Sequence, residues 1–415
     1  MESPQFKASV YDVIIVGARC AGAAAAMLLA RAGLRVLALD RQLYGSDTLS
    51  THALMRPAVV QLARWGLLER IVAQPTPVIN STSFHYGVDD VVTVPIEPQP
   101  GLPGLVAPRR TVLDRVLVDA ATKAGAEIVH QVTGQALLRD SGGRVAGIKV
   151  RCANGEIAAL RASLVIGADG LGSVVAREVE APIRYCGEAS AATIYLYARN
   201  PGLEGSHWHF RDQAAAGIVP TNDNKVCVFA SFPTGRFDRS SNLDIATRHH
   251  RILQELVPSV AEHIASTGCS TPRGFRGAYS IVRQAYGPGW LLVGDAGLFR
   301  DPLTAHGISD ALRDAEGAAL AVLSGSDKAF ADYQQERDTL AFPVIEATEA
   351  ICSFAWTIDE LKKLHKQLSD AMKQEVSALL ARPISVQKAD GRSAQPCLRT
   401  RPSPEMTNGY SRATL

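Results

Sequence analysis

The stretch from Tyr11 to Arg41, YDVIIVGARCAGAAAAMLLARAGLRVLALDR, constrains the fold more than any other part of this chain. Val13 to Val16 is a β-branched apolar run, Gly17 to Gly22 is a turn, Ala23 to Arg31 is an alanine-rich helix, and Leu34 to Leu39 is apolar again. Strand, turn, helix and strand in that order describe a βαβ unit. In such a unit the first glycine makes the tight turn out of the strand and the last lets helix and sheet pack closely. Gly17 and Gly22 hold those places. The helix then presents free N–H groups and its positive dipole end to an anion, and a dinucleotide pyrophosphate suits them. Asp40 ends the second strand, where a carboxylate accepts hydrogen bonds from an adenosine ribose, and Arg41 follows it. Arg19 replaces the middle glycine of G-x-G-x-x-G, where a side chain crowds the phosphates or pairs with them.

The 415 residues suffice for two or three domains with apolar cores. A net charge of +2 with balanced acids and bases indicates no nucleic-acid partner and no polybasic membrane patch, so a small-molecule substrate is expected. The seven cysteines are scattered singly, without a C-x-x-C pair. That argues against a disulfide framework or structural zinc, so no metal site is expected and a reducing cytoplasmic setting is the simplest reading. Residues 1–10 lack the apolar core of a signal peptide, and Arg19 and Arg31 break the apolar stretch after Tyr11, so no transmembrane segment is expected.

Beyond Asp40, the polar segment Ser46 to His52 opens at the carboxyl edge of the sheet, where open α/β sheets bind ligands. Pro57 suits the first turn of the helix that follows. Prolines recur from Gln74 to Pro108 around β-like runs at Thr82 to Tyr86 and Val91 to Val94, an excursion from the first domain. Helical periodicity returns from Arg109 to Ala124 and stops at Gly125. Strand-like runs follow at 135–138, 144–150, 156–160 and 163–166, the second and third joined by the hairpin pair Asn154-Gly155. The last leads into Gly167-Ala168-Asp169-Gly170. Residues 185–235 read as antiparallel sheet, with Thr193, Tyr195 and Tyr197 on one face. Trp290 to Val293 runs into Gly294-Asp295, then Pro302, Gly307 and an amphipathic helix beginning near Ile308. The helical stretch from Phe330 to Leu380 is expected to be interrupted at Pro343, and a frayed tail is expected from Arg382 onward.

Four motifs now stand in order: GARCAG at 17–22, RTVLD at 110–114, ADGLGS at 168–173 and GDAGLFRDPLTAHGISDA at 294–311. Their order resembles the flavoprotein monooxygenases of the para-hydroxybenzoate hydroxylase type and their geranylgeranyl reductase-like cousins, over roughly residues 11 to 350. The resemblance implies an α/β fold: a Rossmann-like FAD-binding domain with a three-stranded β-meander, an antiparallel β-sheet substrate domain and C-terminal helices. The expected boundaries are 1–75, 106–180 and 285–345 for the FAD domain, 76–105 and 181–284 for the substrate domain, 346–381 for the helices and 382–415 for a disordered tail. It also implies that Gly17, Gly22 and Asp40 hold the pyrophosphate and ribose of FAD, with Arg19 and Arg41 beside them. Arg110, with Arg109 as neighbour, would match the family's arginine near the ribityl and phosphate region. Asp169 and Gly170 would serve both FAD and the reducing nicotinamide, and Asp295 the ribityl chain. The backbone from Pro302 to Gly307 and Ile308 would face the flavin pyrimidine edge, where a helix N-terminus stabilises negative charge by roughly 0.3 to 2 kcal/mol.

The implied chemistry is reduction of FAD by NAD(P)H bound transiently, reaction with O2 to a flavin C4a-hydroperoxide, and oxygen transfer to a small aromatic or polycyclic substrate. His52 and His306, in loops expected to border the flavin, are the acid or base candidates. Tyr195, Tyr197, Trp208 and Phe229 are candidates for the substrate face, and Cys20 is read as a packing residue. The paired-tryptophan motif and reaching lysine of flavin halogenases are absent, so halogenation is not expected. A reductase or dehydrogenase of carbon–carbon bonds and a non-catalytic FAD-binding protein stay open as alternatives, and so does the choice between monomer and homodimer.

Overall fold

The computed structural model describes residues 6–87, 89–239 and 243–383. Strand Val10–Val16 lies inside an eight-stranded sheet, with Val36–Asp40 parallel on one side and Ile157–Gly167 parallel on the other. Glu127–His130 extends the parallel set beyond Val36–Asp40, and Trp290–Leu292 extends it beyond Ile157–Gly167. Successive residues of the central strand enter different cores. Val13 and Ile15 pack with Met27, Leu117 and Leu312 of the covering helices, while Ile14 and Val16 pack with Val145, Ile148 and Leu292. Burial on both faces explains why this run is apolar throughout instead of alternating.

The helices Cys20–Arg31, Arg110–Lys123 and Gly307–Ser324 pack on the Val13 face. On the other face, Val132–Arg139, Val145–Cys152 and the first half of Ile157–Gly167 form an antiparallel meander. The runs at 156–160 and 163–166, expected as separate strands, are one 11-residue strand. Its first half pairs with Val145–Cys152 and its second half with Val10–Val16, so one strand belongs to both the meander and the parallel set.

A second, seven-stranded sheet runs in the order Arg273–Phe275, Ala191–Arg199, Lys225–Pro233, Ala214–Thr221, Ser206–Arg211, Ser81–His85 and Val91–Pro95. The proline-rich excursion therefore supplies the last two strands at one edge, Ser81–His85 and Val91–Pro95. One face carries Tyr195, Tyr197, Trp208 and Phe229, and the other packs under helices Ile245–Leu256 and Pro258–Thr267.

The helix expected to break at Pro343 instead runs on as Asp327–Cys352. Ala341, Val344 and Ile345 around the proline are fully buried, and that packing outweighs a proline penalty of roughly 3 kcal/mol. The break falls later, and Ile358–Ala381 starts on a capping box between Thr357 and Glu360. Arg382, expected to begin the tail, is docked: Nη1 donates to Glu316 at 3.0 Å and Nε to Glu336 at 3.2 Å. The remainder of the expected tail, 384–415, lies outside the described residues. Among the described residues no helix is long and apolar enough to cross a membrane.

Glu316 joins three elements, because it also accepts from Arg64 Nη1 at 3.2 Å and Trp65 Nε1 at 3.3 Å. Removing one member of such a buried set strands the other charges, which costs about 3 to 5 kcal/mol. Urea unfolding of Glu316→Ala is expected to show a loss of that size, whereas Glu336→Ala, at the exposed partner of Arg382, is expected to cost less than about 1 kcal/mol.

Candidate active site

A cleft of about 550 Å³ opens at the carboxyl ends of Val10–Val16, Val36–Asp40 and Ile157–Gly167, where open α/β sheets bind ligands. Gly17, Asp40, Asp169, Asp295 and Gly307, spread over the whole sequence, all line it.

At one end the chain turns sharply from strand to helix. Gly17 has φ +98°, and a Cβ there would lie 2.3 Å from the Ala168 carbonyl oxygen; one on Gly22 would lie 1.8 Å from the Gly17 carbonyl oxygen. The following helix, Cys20–Arg31, has no acidic residue in its first turn and no side-chain cap, so its first N–H groups are left for a ligand. Asp40 Oδ2 accepts from Ala18 N at 3.0 Å and Oδ1 from Gln42 N at 2.8 Å. Each oxygen keeps a second lone pair that a ribose hydroxyl can fill. Arg41, Gln42, Thr133 and Gly134 complete this end.

Arg19 is drawn aside by neighbours that the motif gave no reason to expect. Its Nη1 donates to Asp114 at 2.8 Å and to the Ser46 carbonyl at 2.8 Å, and its Nη2 donates to Ser46 Oγ at 2.8 Å. Arg110 donates Nε and Nη2 to the same Asp114 carboxylate, at 3.0 and 3.2 Å. Burial works against the Arg110 charge, but Asp114 keeps it firmly protonated. One buried acid thus positions two arginines of the cleft wall. Asp114 was legible only as the fourth residue after Arg110 in RTVLD, the helical spacing of a carboxylate–arginine pair.

Asp169 accepts from Ser173 Oγ and Val174 N, so its carboxylate secures the turn after Gly167; burial raises its pKa against those hydrogen bonds. Asp295, in the short turn Gly294–Ala296, is pushed up to about 6, by burial first and then by Asp310, with Arg110 opposing.

The other end of the cleft is formed by Pro302, Ala305, Gly307 and Ile308. Ala305 has φ +54°, and helix Gly307–Ser324 begins without a side-chain cap. Its first turn carries Asp310, whose charge is met by Arg300 Nη2 at 2.7 Å and Arg313 Nη1 at 2.7 Å. Arg300 also lines the cleft, and its buried Nε and Nη1 have no partner among the described residues. A ligand acceptor or water at this end would satisfy them.

The two candidate histidines part company. His306 sits behind the helix start: its Nε2 meets Glu375 Oε2 at 2.6 Å, and its ring is absent from the cleft lining. Burial works against the Glu375 charge, but His306 and Arg313 outweigh it and hold the carboxyl below the usual carboxylate range. His52 does line the cleft. Its Nδ1 lies 3.1 Å from the Ala107 carbonyl, which fixes the proton on Nδ1 and leaves Nε2, without a partner among the described residues, as an acceptor. Burial, and then Arg109, push the ring down to about 3, so it is neutral at physiological pH. Arg109 itself stands one layer back, paired with Asp47 at 3.1 Å and stacked on Tyr197 at 4.1 Å. Of the substrate-face candidates Tyr195 lines the cleft, beside Thr193, Phe275 and Phe299, which sequence reasoning missed. Trp208 and Phe229 stack edge to face at 5.1 Å within the sheet core.

Comparison with known proteins gives a consistent set of likenesses. A family described as "FAD binding domain" matches residues 10–348. The "Probable electron transfer flavoprotein-quinone oxidoreductase YgcN" of Escherichia coli is 30% identical over 338 residues, 75% of this chain and 76% of that protein. Digeranylgeranylglycerophospholipid reductase 1 of Methanopyrus kandleri is 29% identical over 322 residues, 73% of this chain and 77% of that protein. Among solved structures, the flavin-dependent brominase Bmp2 superposes with a TM-score of 0.74 at 18% identity, covering 88% of this chain and 93% of that one. PqsL of Pseudomonas aeruginosa, titled a probable FAD-dependent monooxygenase, gives a TM-score of 0.68 at 20% identity, covering 88% of this chain and all of that one (100%).

Two outcomes follow. Asp114→Asn is expected to release Arg19 and Arg110 and to weaken FAD binding by about ten- to a hundredfold in a flavin fluorescence titration. The raised pKa of Asp295 means that the folded chain binds this proton more tightly than the unfolded chain. Its contribution to stability therefore falls as pH rises from about 4 to about 6. In urea unfolding of the FAD-free protein, Asp295→Asn is expected to gain stability relative to the parent across that window.

Proposed function

This chain belongs to the FAD binding domain family, and on that premise we propose that it is an FAD-dependent monooxygenase, reduced by NAD(P)H and using O2, acting on a small apolar aromatic substrate. The observation that carries this reading is the composition of the cleft opposite the Gly307 helix start. Leu49, Tyr195, Phe275 and Phe299 line it, and among the described residues no lysine does. Such a wall favours an apolar substrate and supplies no amine to capture a small electrophile, so the protein binds and orients while the cofactor does the bond-making.

FAD, when bound, supplies hydride acceptance and oxygen activation. The chain's own groups have separable tasks. Asp40 and the Gly17 turn hold the adenosine and pyrophosphate end. The N–H groups at the start of Gly307–Ser324, with Arg300 beside them, stabilise negative charge at the pyrimidine edge. His52 Nε2 accepts a hydrogen bond from a substrate hydroxyl or amine and orients it. A ring that stays neutral down to about pH 3 acts as a fixed acceptor and not as a titrating base.

A second reading, reduction of a carbon–carbon double bond, is favoured by the sequence relatives. The Methanopyrus protein named a reductase is 29% identical, whereas the brominase and PqsL stand at 18% and 20%, a level that speaks for the fold alone. Oxygen separates the two. With a true substrate the first reading expects one O2 consumed per NAD(P)H oxidised and no product under argon; undiminished turnover under argon would establish the second.

Replacing His52 by Ala is expected to lower kcat/KM by about two- to tenfold, the worth of one neutral hydrogen bond, with FAD affinity unchanged. Because the ring does not titrate near neutrality, the ratio of parent to variant kcat/KM is expected to stay constant from about pH 5 to about pH 8.

A further inference from the structure

Three histidines converge on the face of the seven-stranded sheet that points away from its aromatic core. Strand Ser206–Arg211 reads SHWHFR, and the two-residue period sends Trp208 and Phe210 into the core and His207 and His209 to the opposite face. Strand Ser81–His85 lies parallel to it in a register that sets His85 against His209. One ring nitrogen from each of His85, His207 and His209 falls within 4.8 Å of the others. None of the three lines the cleft described above.

We propose that His85, His207 and His209 form a binding site for a divalent transition-metal ion, with Zn2+ as the best-suited cation. The ion acts as a clasp between the outer hairpin Ser81–Pro95 and the remainder of the sheet. Three imidazoles with a water in the fourth position suit zinc, nickel or copper and not magnesium or calcium, which prefer oxygen.

Hydrogen bonding sets the lone pair of His207 toward its neighbours, whereas the His85 and His209 rings lie stacked, with centroids 4.0 Å apart and 9° between their planes, so one of them must rotate for both to reach a common ion. His207 Nε2 lies 3.0 Å from the Glu204 carbonyl oxygen, which can only accept, so Nε2 carries the proton and Nδ1 is the lone-pair nitrogen. That Nδ1 lies 3.1 Å from His85 Nε2. A ligating histidine whose second nitrogen donates to a backbone carbonyl is the usual arrangement around a bound metal, because it fixes tautomer and ring orientation. Without an ion His85 Nε2 must donate to His207; with one, His85 shifts its proton to Nδ1 and offers Nε2 as a ligand. Zn–N bonds of about 2.0 to 2.1 Å require nitrogens roughly 3.4 Å apart in a tetrahedral set, within reach of ring rotations from the present spacing.

The protonation state agrees. Burial, then His85 and His207, push His209 down to about 3, and burial and His207 lower His85 as well. Protons therefore compete weakly for the His85 and His209 nitrogens near neutrality. Arg211 faces His85 and His209 and opposes a dication, so micromolar affinity is expected instead of the tighter binding of a thiolate site. The buried trio His306, Asp310 and Glu375 differs, because Arg300 and Arg313 already balance its acids. The pair His207 and His209 is visible in SHWHFR, but His85 joins it only through pairing between strands over 120 residues apart, which no local pattern shows.

The test uses the full FAD-loaded chain carrying C186S, C269S and C397S to remove competing thiols, stripped with a chelator and titrated with Zn2+ by calorimetry at neutral pH. The proposal expects one Zn2+ per chain in the micromolar range and a rise in Tm on adding it. His85→Ala and His207→Ala are each expected to weaken binding at least about tenfold and to abolish the rise in Tm, with flavin absorbance unchanged. Should either variant lose its flavin, His209→Gln takes its place. No binding by the parent, or binding unchanged in the variants, would show that the trio is only a stacked histidine cluster and would overturn the proposal.

Discussion

Two helices begin at one cleft, and their unsatisfied N–H groups are the constraint around which the rest of the structure is arranged. Cys20–Arg31 and Gly307–Ser324 both start without a side-chain cap and pack against each other. Two positive dipole ends in one cavity are unfavourable without an anion between them. The extended dinucleotide flavin proposed above would meet both demands, with phosphates at one end and an electron-rich ring at the other. The cleft that joins Asp40 to Asp295 runs between those two helix starts.

The surrounding charges keep that field from collapsing onto the protein. Asp114 holds Arg19 and Arg110 in the wall, so that two guanidinium groups stand in the cleft lining with the Gly17 turn. At the other end Asp310, which would cancel the helix dipole, is itself balanced by Arg300 and Arg313. Glu375, from Ile358–Ala381, pairs with Arg313 at 3.0 Å and with His306, so the final helix of the described chain braces the start of Gly307–Ser324 from behind. Removing a partner from such a buried network costs more than its Coulomb energy, because the remaining charge is left unsolvated.

Much of this was readable before any coordinates, wherever the signal was local. The turn at Gly17, the second strand ending in Asp40 and the strand entering Gly294-Asp295 are each short apolar runs that end on a glycine or an aspartate, and all three reach the cleft. What the sequence hid depends on contacts between distant segments. His306 stands between two cleft-lining residues, yet its ring turns toward Glu375, 69 positions later. Arg19 looked like an obstruction until Ser46 and Asp114 were seen to draw it aside. Trp208 and Phe229 share an alternating pattern with Tyr195, but period alone does not say how far along the sheet the cleft extends. Pro343 shows the reverse failure, where a strong local signal yields to tertiary packing.

The account's central claim is that one FAD spans the two helix starts, and a crystal structure of the protein with FAD bound tests it most directly. The adenosine ribose is expected to hydrogen-bond Asp40, the pyrophosphate to sit on the first turn of Cys20–Arg31, and the pyrimidine edge of the ring to face the N–H groups of Gly307 and Ile308. A flavin whose ring lies away from Gly307, or whose phosphates avoid the Gly17 turn, would contradict it.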